Sequence, residues 1–384
     1  MLAAAEQRPA GAAPTLAGVR ALALPLAALA LGGVGATWSG TPASSPITFP
    51  GVGAHGVFDP SLERDGDRLW MSYSAVEEPQ TPACAASGRS TIKRIETRLA
   101  WSEDGGRTWK DGGRVNAAEE VCLPEPARLG TWVNEVSTLV RDETAPKAER
   151  WKLIWHRYLW VNDSNQMNRR FDQSWIAVRA AATPGKLAAA PARKLFVGMA
   201  YDTRHDASGK PAARLTDLHA DLADCAVATE PGALSTPDGL YVALSCRALD
   251  ASRSRLVLLR LSRGHWRYVG TALDVKLSRA AGSEQPMTAA ELYGAGTKTF
   301  LIATRVSAPD DYSGCSVFTL DLRTAKVGTK AGKPHAVLDV KGEPPFRGAC
   351  GYDPAATRSG ILLSQVALQG ETRVFRIVRT GKRP

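Results

Sequence analysis

Five acidic residues lie in similar local settings along this 384-residue chain, each in a short apolar stretch followed by a turn and an alternating apolar strand. They are Asp59, Glu135, Glu230, Glu291 and Asp353. If the fold brings them to one pocket, mutual repulsion and partial burial raise the pKa of some of them. One carboxyl group can then protonate the leaving oxygen of a glycosidic bond, while another activates water or attacks the sugar.

Three arginines lie just past the second predicted strands of the second, third and fourth units: Arg157, Arg247 and Arg305. Their similar places predict that they face the same mouth as the acids. Because a guanidinium binds a carboxylate through two parallel hydrogen bonds, the three form a candidate clamp for an acidic substrate.

Aromatic residues crowd the second unit, where they could stack on the C–H faces of a sugar. Alternation along the strand predicts that Trp151 and Trp155 pack in the core. Tyr158 and Trp160 are predicted to be more exposed and, with His156, to bind substrate. Together with Glu291 and Asp353, these residues complete the predicted substrate-binding set.

The elements that must position these residues are five repeated hairpins. The 35 Gly and 24 Pro residues are spread along the chain, which predicts many turns and short strands. Radial repetition covers sheet edges without helices, so we predict an all-β fold, a five-bladed β-propeller over residues 51–384. The starts of the innermost strands would then meet at a central channel, with the five acids in corresponding places. A six-bladed sialidase-like propeller and a β-sandwich are the alternatives.

One eight-residue motif indicates a family of propellers. The stretch from Ser102 to Trp109 fits the pattern S-x-D-x-G-x-T-W and resembles the Asp box, or BNR repeat, of sialidases and related propellers. The matching residues are Ser102, Asp104, Gly106, Thr108 and Trp109. We expect Asp104 to accept backbone N–H groups across the turn and Trp109 to pack beneath it, which is a structural role.

The arrangement of acids resembles the five-bladed propellers of glycoside hydrolase family 43. In that family an Asp of the first blade is the base, an Asp of the second blade modulates pKa, and a Glu of the third blade is the acid. The resemblance implies that Asp59, before Pro60, is the base and that Glu230, before Pro231, is the acid. Glu135 would be the second-blade carboxylate, where the family normally has Asp.

Two other functions remain open on the sequence. The first is a non-catalytic propeller that binds glycan or a cell-envelope polymer, in which the acids are structural or hold a cation in the channel. The second is an exo-sialidase, which would use the three arginines as its clamp, although the Arg-Ile-Pro motif of that family is missing. No local ligand spacing demands a metal, and no cofactor is expected.

The N-terminus predicts export. Two arginines, Arg8 and Arg20, precede an uncharged apolar run of 16 residues, Ala21 to Ala36, which has the layout of a secretory signal peptide. We assign residues 1–36 to a signal peptide or, alternatively, an uncleaved membrane anchor, and residues 37–50 to a linker. The product would be periplasmic or extracellular.

The cysteines agree with that compartment. The chain has six, without any C-x-x-C pair, and an even number in an exported chain predicts disulfides and not a zinc site. Fifteen connectivities are open, and the one with the shortest loops pairs Cys84 with Cys122, Cys225 with Cys246 and Cys315 with Cys350.

The formal net charge of +10 favours acidic partners. The chain has no dense Lys/Arg run and no nucleic-acid-binding motif, so we expect a carbohydrate or an anionic envelope polymer as partner and not a nucleic acid. A monomer is expected, with membrane contact only through an uncleaved N-terminal segment.

Overall fold

The computed structural model describes residues 46–49, 51–78, 94–123, 128–163, 166–203, 209–308, 311–341, 347–355, 360–369 and 372–384. These residues belong to one unit, Ser44–Pro384. The predicted signal segment, residues 1–36, falls in a second unit, Met1–Ala43, and lies outside the described residues. No helix in the described ranges is long and apolar enough to cross a membrane.

The described strands form five blades, antiparallel except where Ala213 and Arg214 pair in parallel with Phe196 and Val197. One further parallel pair, Ser313 with Arg347, joins the last two blades. The first strand, β1 (Pro46–Ile47), belongs to the last blade. Blade 1 consists of β2 (Val57–Asp65), β3 (Arg68–Glu77), β4 (Arg94–Ser102) and β5 (Lys110–Asn116). Blade 2 consists of β6 (Glu119–Leu123), β7 (Arg128–Arg141), β8 (Trp151–Asp163), β9 (Gln166–Ala181), β10 (Arg193–Val197) and β11 (Ala213–Arg214). Blade 3 consists of β12 (Val227–Thr236), β13 (Gly239–Arg247), β14 (Arg255–Ser262) and β15 (His265–Leu273).

The remaining strands complete blades 4 and 5. Blade 4 consists of β16 (Thr288–Ala295), β17 (Lys298–Ala308), β18 (Asp311–Asp321), the short β19 (Lys326–Val327) and β22 (Ala336–Lys341). Between β19 and β22 the chain forms a separate hairpin of β20 (Thr329–Lys330) and β21 (Lys333–Pro334). Blade 5 consists of β23 (Arg347–Asp353), β24 (Gly360–Gln369), β25 (Thr372–Arg379) and β1. The helices in the described ranges are short: α1 (Leu215–Leu218), α2 (Val275–Ala280) and 3₁₀ turns at Lys147–Glu149, Pro184–Ala189, Ala220–Leu222 and Ala251–Arg253.

The innermost strands, β2, β7, β12, β16 and β23, contact one another in a closed cycle. The predicted all-β five-bladed propeller is therefore confirmed. The ring is closed by β1, in which Pro46 and Ile47 pair with Val378 and Ile377 of β25. The assignment of residues 37–50 to a linker was wrong for this pair, because an N-terminal strand supplies the outer edge of the C-terminal blade.

Alternation along the blade strands builds a separate apolar core at each blade interface. Between blades 1 and 2, Trp70 and Leu99 pack with Trp151 and Trp155, as the alternation predicted for those two tryptophans. Similar clusters fill the other four interfaces. Because successive strand residues point to opposite faces, each blade strand contributes to the two interfaces on either side of it.

The turn at residues 102–109 connects β4 to β5 and is held by one side chain. Asp104 Oδ1 accepts the backbone N–H groups of Arg107 (2.8 Å) and Thr108 (2.9 Å), and Asp104 Oδ2 accepts the Thr108 hydroxyl (2.6 Å). Ser102 Oγ accepts the N–H of Gly106 at 2.8 Å. These donors hold the pKa of Asp104 far below its usual value. The role of the motif in this turn is structural.

Two of the predicted disulfides are present. Cys225 is bonded to Cys246 within blade 3, and Cys315 of β18 is bonded to Cys350 of β23, across blades 4 and 5. Cys122 is also disulfide-bonded, and its predicted partner, Cys84, lies outside the described residues.

Replacing both Cys315 and Cys350 with Ala should lower the free energy of unfolding by about 4 kcal/mol, because the bond closes a loop of 35 residues in the unfolded chain. Urea denaturation without reductant measures this difference. After full reduction of all disulfides, the two proteins should unfold at nearly the same urea concentration. Equal unfolding free energies before reduction would contradict the prediction.

Candidate functional site

Each innermost strand carries a β-bulge, and the backbone there takes a left-handed conformation. The bulge residues are Asp59, Val136, Glu230, Ala289 and Ala349, with φ values of 54°, 45°, 54°, 45° and 45°. L-residues adopt this conformation at a cost of about 1 kcal/mol or more, so the surrounding contacts must hold it. The prediction that all five acids occupy corresponding places is wrong: the register aligns only Asp59 and Glu230.

Contacts between neighbouring blades hold these bulges. The backbone N–H of three of the five bulge residues donates to a hydroxyl on the second strand of the preceding blade. The pairs are Asp59 N to Ser364 Oγ (2.9 Å), Val136 N to Ser74 Oγ (3.2 Å) and Ala349 N to Thr304 Oγ1 (2.8 Å). Ser245 has the same register position in blade 3, and His156 has it in blade 2. We call these five second-strand residues, Ser74, His156, Ser245, Thr304 and Ser364, the seam residues.

The Asp59 carboxylate takes part in this seam. Its Oδ2 accepts the hydroxyl of Ser74 at 3.0 Å and the backbone N–H of Val136 at 3.2 Å. The residue is 5% exposed. Asp59 therefore connects its own blade to blade 2 through one carboxylate oxygen.

The Glu230 carboxylate is held in an equivalent way. Its Oε2 accepts the hydroxyl of Ser245 at 3.2 Å, the backbone N–H of Ala289 at 3.2 Å and the hydroxyl of Thr288. Within the part of the chain that the structure describes, Asp59 Oδ1 and Glu230 Oε1 accept no hydrogen bond. On both acids, one oxygen is anchored and the other accepts no hydrogen bond from the described residues.

Glu135 lies close to this pair. It directly precedes the bulge of β7, and its Oε1 accepts the Tyr158 hydroxyl at 2.8 Å. Burial, followed by repulsion from Glu135 and Glu230, raises the pKa of Asp59 well above its usual value. The structure thus brings together the three carboxylates predicted to be catalytic, Asp59, Glu135 and Glu230.

His156 is the seam residue of blade 2, where the four other blades have a hydroxyl. Its Nε2 lies 2.9 Å from Ser174 Oγ, and its ring is 4.7 Å from that of Tyr158. Burial and the charges of Arg169 and Arg247 lower the pKa of His156 well below its usual value. The site therefore contains a buried imidazole that is neutral at pH 7.

Tyr158 departs from the predicted exposure, whereas Trp160 is more exposed than Trp151 and Trp155, as predicted. Tyr158 is 1% exposed, because its ring packs in an apolar cluster with Phe58 and its hydroxyl binds Glu135. Trp160 is half-buried. The Arg169 guanidinium lies over both rings, 5.4 Å from the Tyr158 centroid and 5.8 Å from that of Trp160.

Glu291 lies two residues beyond its bulge and takes part in a different layer of the channel. Its Oε1 accepts the hydroxyl of Ser61 at 2.9 Å. Ser61 also accepts the backbone N–H of Leu139, and Thr138 accepts that of Ala233, so this layer connects blade 1 to blades 4 and 2, and blade 2 to blade 3. Burial raises the pKa of Glu291 to about 8.

A cavity of about 20 Å³ lies between the two layers, lined by Asp59, Ser137 and Glu291 among others. This volume is enough for about one water molecule. The buried Ser137 hydroxyl has no partner within the described part of the chain. In the same ranges, no three His, Cys, Asp or Glu side chains are placed to hold a metal ion.

Asp353 does not join the other acids. It is the last residue of β23, fully buried, and it pairs with Arg379 and accepts the backbone N–H of Ala355 at 2.9 Å. Arg379 also donates to the carbonyl of Gly106 at 2.7 Å, in the turn at 102–109. Contrary to its predicted substrate-binding role, Asp353 connects blade 5 to that turn.

The three arginines do not occupy similar places. Arg157 follows the seam residue His156 by one position, as Arg305 follows Thr304, whereas Arg247 follows Ser245 by two and so lies on the other strand face.

Arg157 and Arg305 already have partners. Arg157 donates to Asn134 Oδ1 at 3.1 Å and pairs with Glu119 at 3.4 Å. Arg305 pairs with Asp339 at 3.4 Å. The predicted three-arginine clamp is not assembled.

The seam hydroxyls were missed by the sequence reasoning. The available signal was a Ser or Thr in the second strand of four hairpins, at a place where the neighbouring strand residues are apolar: Ser74, Ser245, Thr304 and Ser364. A buried hydroxyl in an apolar strand needs a partner, and here the partner is the next blade.

Similarity to known proteins lies in the fold. No protein-family model and no curated protein matches this chain. The solved complex of BT0996 with RGII aligns with a TM-score of 0.51 at 11% identity, over 88% of this chain and 91% of that protein, and a glycoside hydrolase gives the same values. These matches show the propeller fold. A xylan β-1,4-xylosidase from Bacillus Halodurans C-125 aligns over 70% of this chain (TM-score 0.38, 10% identity), and this chain spans 42% of that protein.

Glu291 should make stability depend on pH. Its carboxyl group ionises near pH 4.5 when the chain is unfolded and near pH 8 when it is folded, so the unfolded state releases its proton first. The free energy of unfolding should therefore fall as pH rises from about 4.5 to about 8, by roughly 4 kcal/mol in total. Glu291→Gln should remove this fall.

Urea denaturation at several pH values measures the effect. The exposed Glu284 provides the control, because Glu284→Gln should keep the pH dependence of the wild type. The same pH dependence in Glu291→Gln and wild type would contradict the assignment.

Proposed function

We propose that this chain is an exported glycosidase-like β-propeller that hydrolyses a glycosidic bond with Asp59 and Glu230. The observation that carries the proposal is the equivalent placement of these two carboxylates on blades 1 and 3. Each is anchored through one oxygen and has the other unbonded within the described residues. Hydrolysis of a glycoside needs two such carboxyl groups.

The roles follow from the resemblance to glycoside hydrolase family 43. Asp59 acts as the base toward water, Glu230 protonates the leaving oxygen, and Glu135 adjusts the pKa of Asp59. In agreement, Glu135 is the charged group that most raises the pKa of Asp59. Because of this shift, Asp59 loses its proton and acts as a base only at pH values well above the usual pKa of aspartate.

The substrate class rests on the fold and on the chemistry of the site. One of the two matches with a TM-score of 0.51 is a complex of BT0996 with RGII, and the other is a glycoside hydrolase. The half-buried ring of Trp160 also suits a sugar, since it lies next to Tyr158, whose hydroxyl binds Glu135. Export is supported by the two described disulfides and the apolar run at 21–36.

A non-catalytic glycan-binding propeller is the second candidate. The contacts that anchor Asp59 and Glu230 also join neighbouring blades, as structural acids would. The cavity of about 20 Å³ beside Asp59 is also too small for a sugar ring.

Substitution of the acids distinguishes these functions. On a panel of aryl glycosides that includes a sialoside, Asp59→Asn and Glu230→Gln should each lower kcat/KM by about 10²- to 10⁴-fold, because each removes a proton-transferring group. The fall in kcat/KM of Glu230→Gln should be smallest on substrates with acidic leaving groups, which depart without protonation. The fall in kcat/KM of Asp59→Asn should be the same on all substrates of the panel.

The exposed Glu284 supplies the matched control, and Glu284→Gln should be as active as the wild type. Glycan binding without hydrolysis of any member of the panel by the wild type would establish the second candidate in place of the first.

The role of Glu135 has its own signature. Removing its charge in Glu135→Gln should lower the pKa of Asp59, since repulsion from Glu135 raises it. The acidic limb of the kcat/KM profile, which reports ionisation of the base, should then move to lower pH. A limb that stays in place or moves upward would show that Glu135 does not adjust the base.

A further inference from the structure

Arg247 occupies a position that holds valine in three of the other four blades and tyrosine in the fourth. It is the last residue of β13 and lies two residues beyond the seam residue Ser245. The residues two beyond the other seam residues are Val76, Tyr158, Val306 and Val366, and each is at most 8% exposed. A cation therefore replaces a buried, uncharged side chain in one blade of the ring.

Arg247 is half-buried. Within the described ranges its guanidinium has neither a hydrogen-bond acceptor nor an ion-pair partner. Arginine is seldom buried without a partner, because its charge loses hydration that a counter-charge must replace. An anion that enters beside Arg247 would supply that counter-charge.

The neighbours of Arg247 place it on the side of the ring that holds Glu230 and His156. Residues two apart on a strand share a face, and Ser245, two residues before it, donates to Glu230. The charge of Arg247 also acts on His156 of blade 2, as does that of Arg169. Arg247 therefore lies near both Glu230 and His156.

We infer that Arg247 binds the carboxylate of an acidic sugar, so that the substrate of the proposed hydrolysis is a carboxylated carbohydrate. The planar guanidinium matches a carboxylate through two parallel hydrogen bonds. A singly charged ligand suits one unpaired arginine on the side of the ring that holds Glu230, because the carboxylates of the site repel a more highly charged anion. Hexuronic acids and nine-carbon sialic acids both carry this group.

Binding measurements test the inference apart from catalysis. Glucuronate, galacturonate, N-acetylneuraminate, the methyl ester of glucuronate and glucose are titrated calorimetrically into the full-length wild type. The wild type should bind at least one of the acids about ten- to hundredfold more tightly than the neutral sugars. Its preference among the acids identifies the hexuronic or the sialic type.

Three variants locate the effect. Arg247→Gln should lose the preference for the acid, and Arg247→Lys should keep part of it, because the charge remains. Arg305→Gln is the matched control: Arg305 already pairs with Asp339, and its loss should leave the preference unchanged. Thermal unfolding of each variant checks that it is folded.

Equal affinity for the acids and the neutral sugars, binding of none of them, or a preference that persists in Arg247→Gln would overturn the inference. Asp59→Asn separates it from the proposed function, because this variant should lose hydrolysis and keep the preference. A wild type that hydrolyses nothing but binds acids through Arg247 would refute the hydrolase and support the carboxylate site.

Discussion

The fold depends on how the backbone N–H groups at the five bulges are satisfied. A bulge removes its residue from the strand ladder, so the N–H needs another acceptor, and leaving it buried without one costs about 1–3 kcal/mol. At four of the five bulges the acceptor comes from the neighbouring blade: a hydroxyl at Asp59, Val136 and Ala349, and a carboxylate at Val136 and Ala289. The blades are thus joined near the axis by polar contacts and farther out by apolar packing.

This constraint fixes the candidate site. Asp59 and Glu230 each satisfy the N–H of the next blade with one oxygen, and that same contact sets the position of the other oxygen. A group held by several donors loses little freedom when it acts, which is the requirement for an oriented acid or base. The same contacts couple stability to the proposed activity at these positions, so an effect on activity has to be separated from an effect on folding. Asn and Gln preserve an acceptor oxygen and are the appropriate replacements.

The sequence predicted what depends on local pattern. Alternating hairpins indicated the propeller, and Asp59-Pro60 and Glu230-Pro231 were correctly taken as related, because a residue before Pro at a bulge leaves a local trace. The register within each innermost strand could not be predicted, since a shift of one or two residues changes which side chain reaches the axis. Glu291 and Asp353 were therefore expected at the same level as Asp59 and Glu230, although they lie further along their strands. Arg247 was grouped with Arg157 and Arg305, although it lies on the other strand face. The seam hydroxyls were missed because their acceptor role exists only between blades.

The internal repetition of the fold identifies the residues that packing does not explain. The five blades pack against one another in equivalent ways, so the residue types that most of them share at a position are those that stabilise the fold. These are a hydroxyl at the seam and an apolar side chain two residues later. His156 and Arg247 depart from these solutions, on adjacent blades and on the side of the ring that holds Glu230. An imidazole or a guanidinium at such places has a desolvation cost that a hydroxyl or a valine does not have. Departures that lower stability and lie together are expected where a ligand binds. Comparison of the five blades with one another therefore points to this side of the ring independently of any relative.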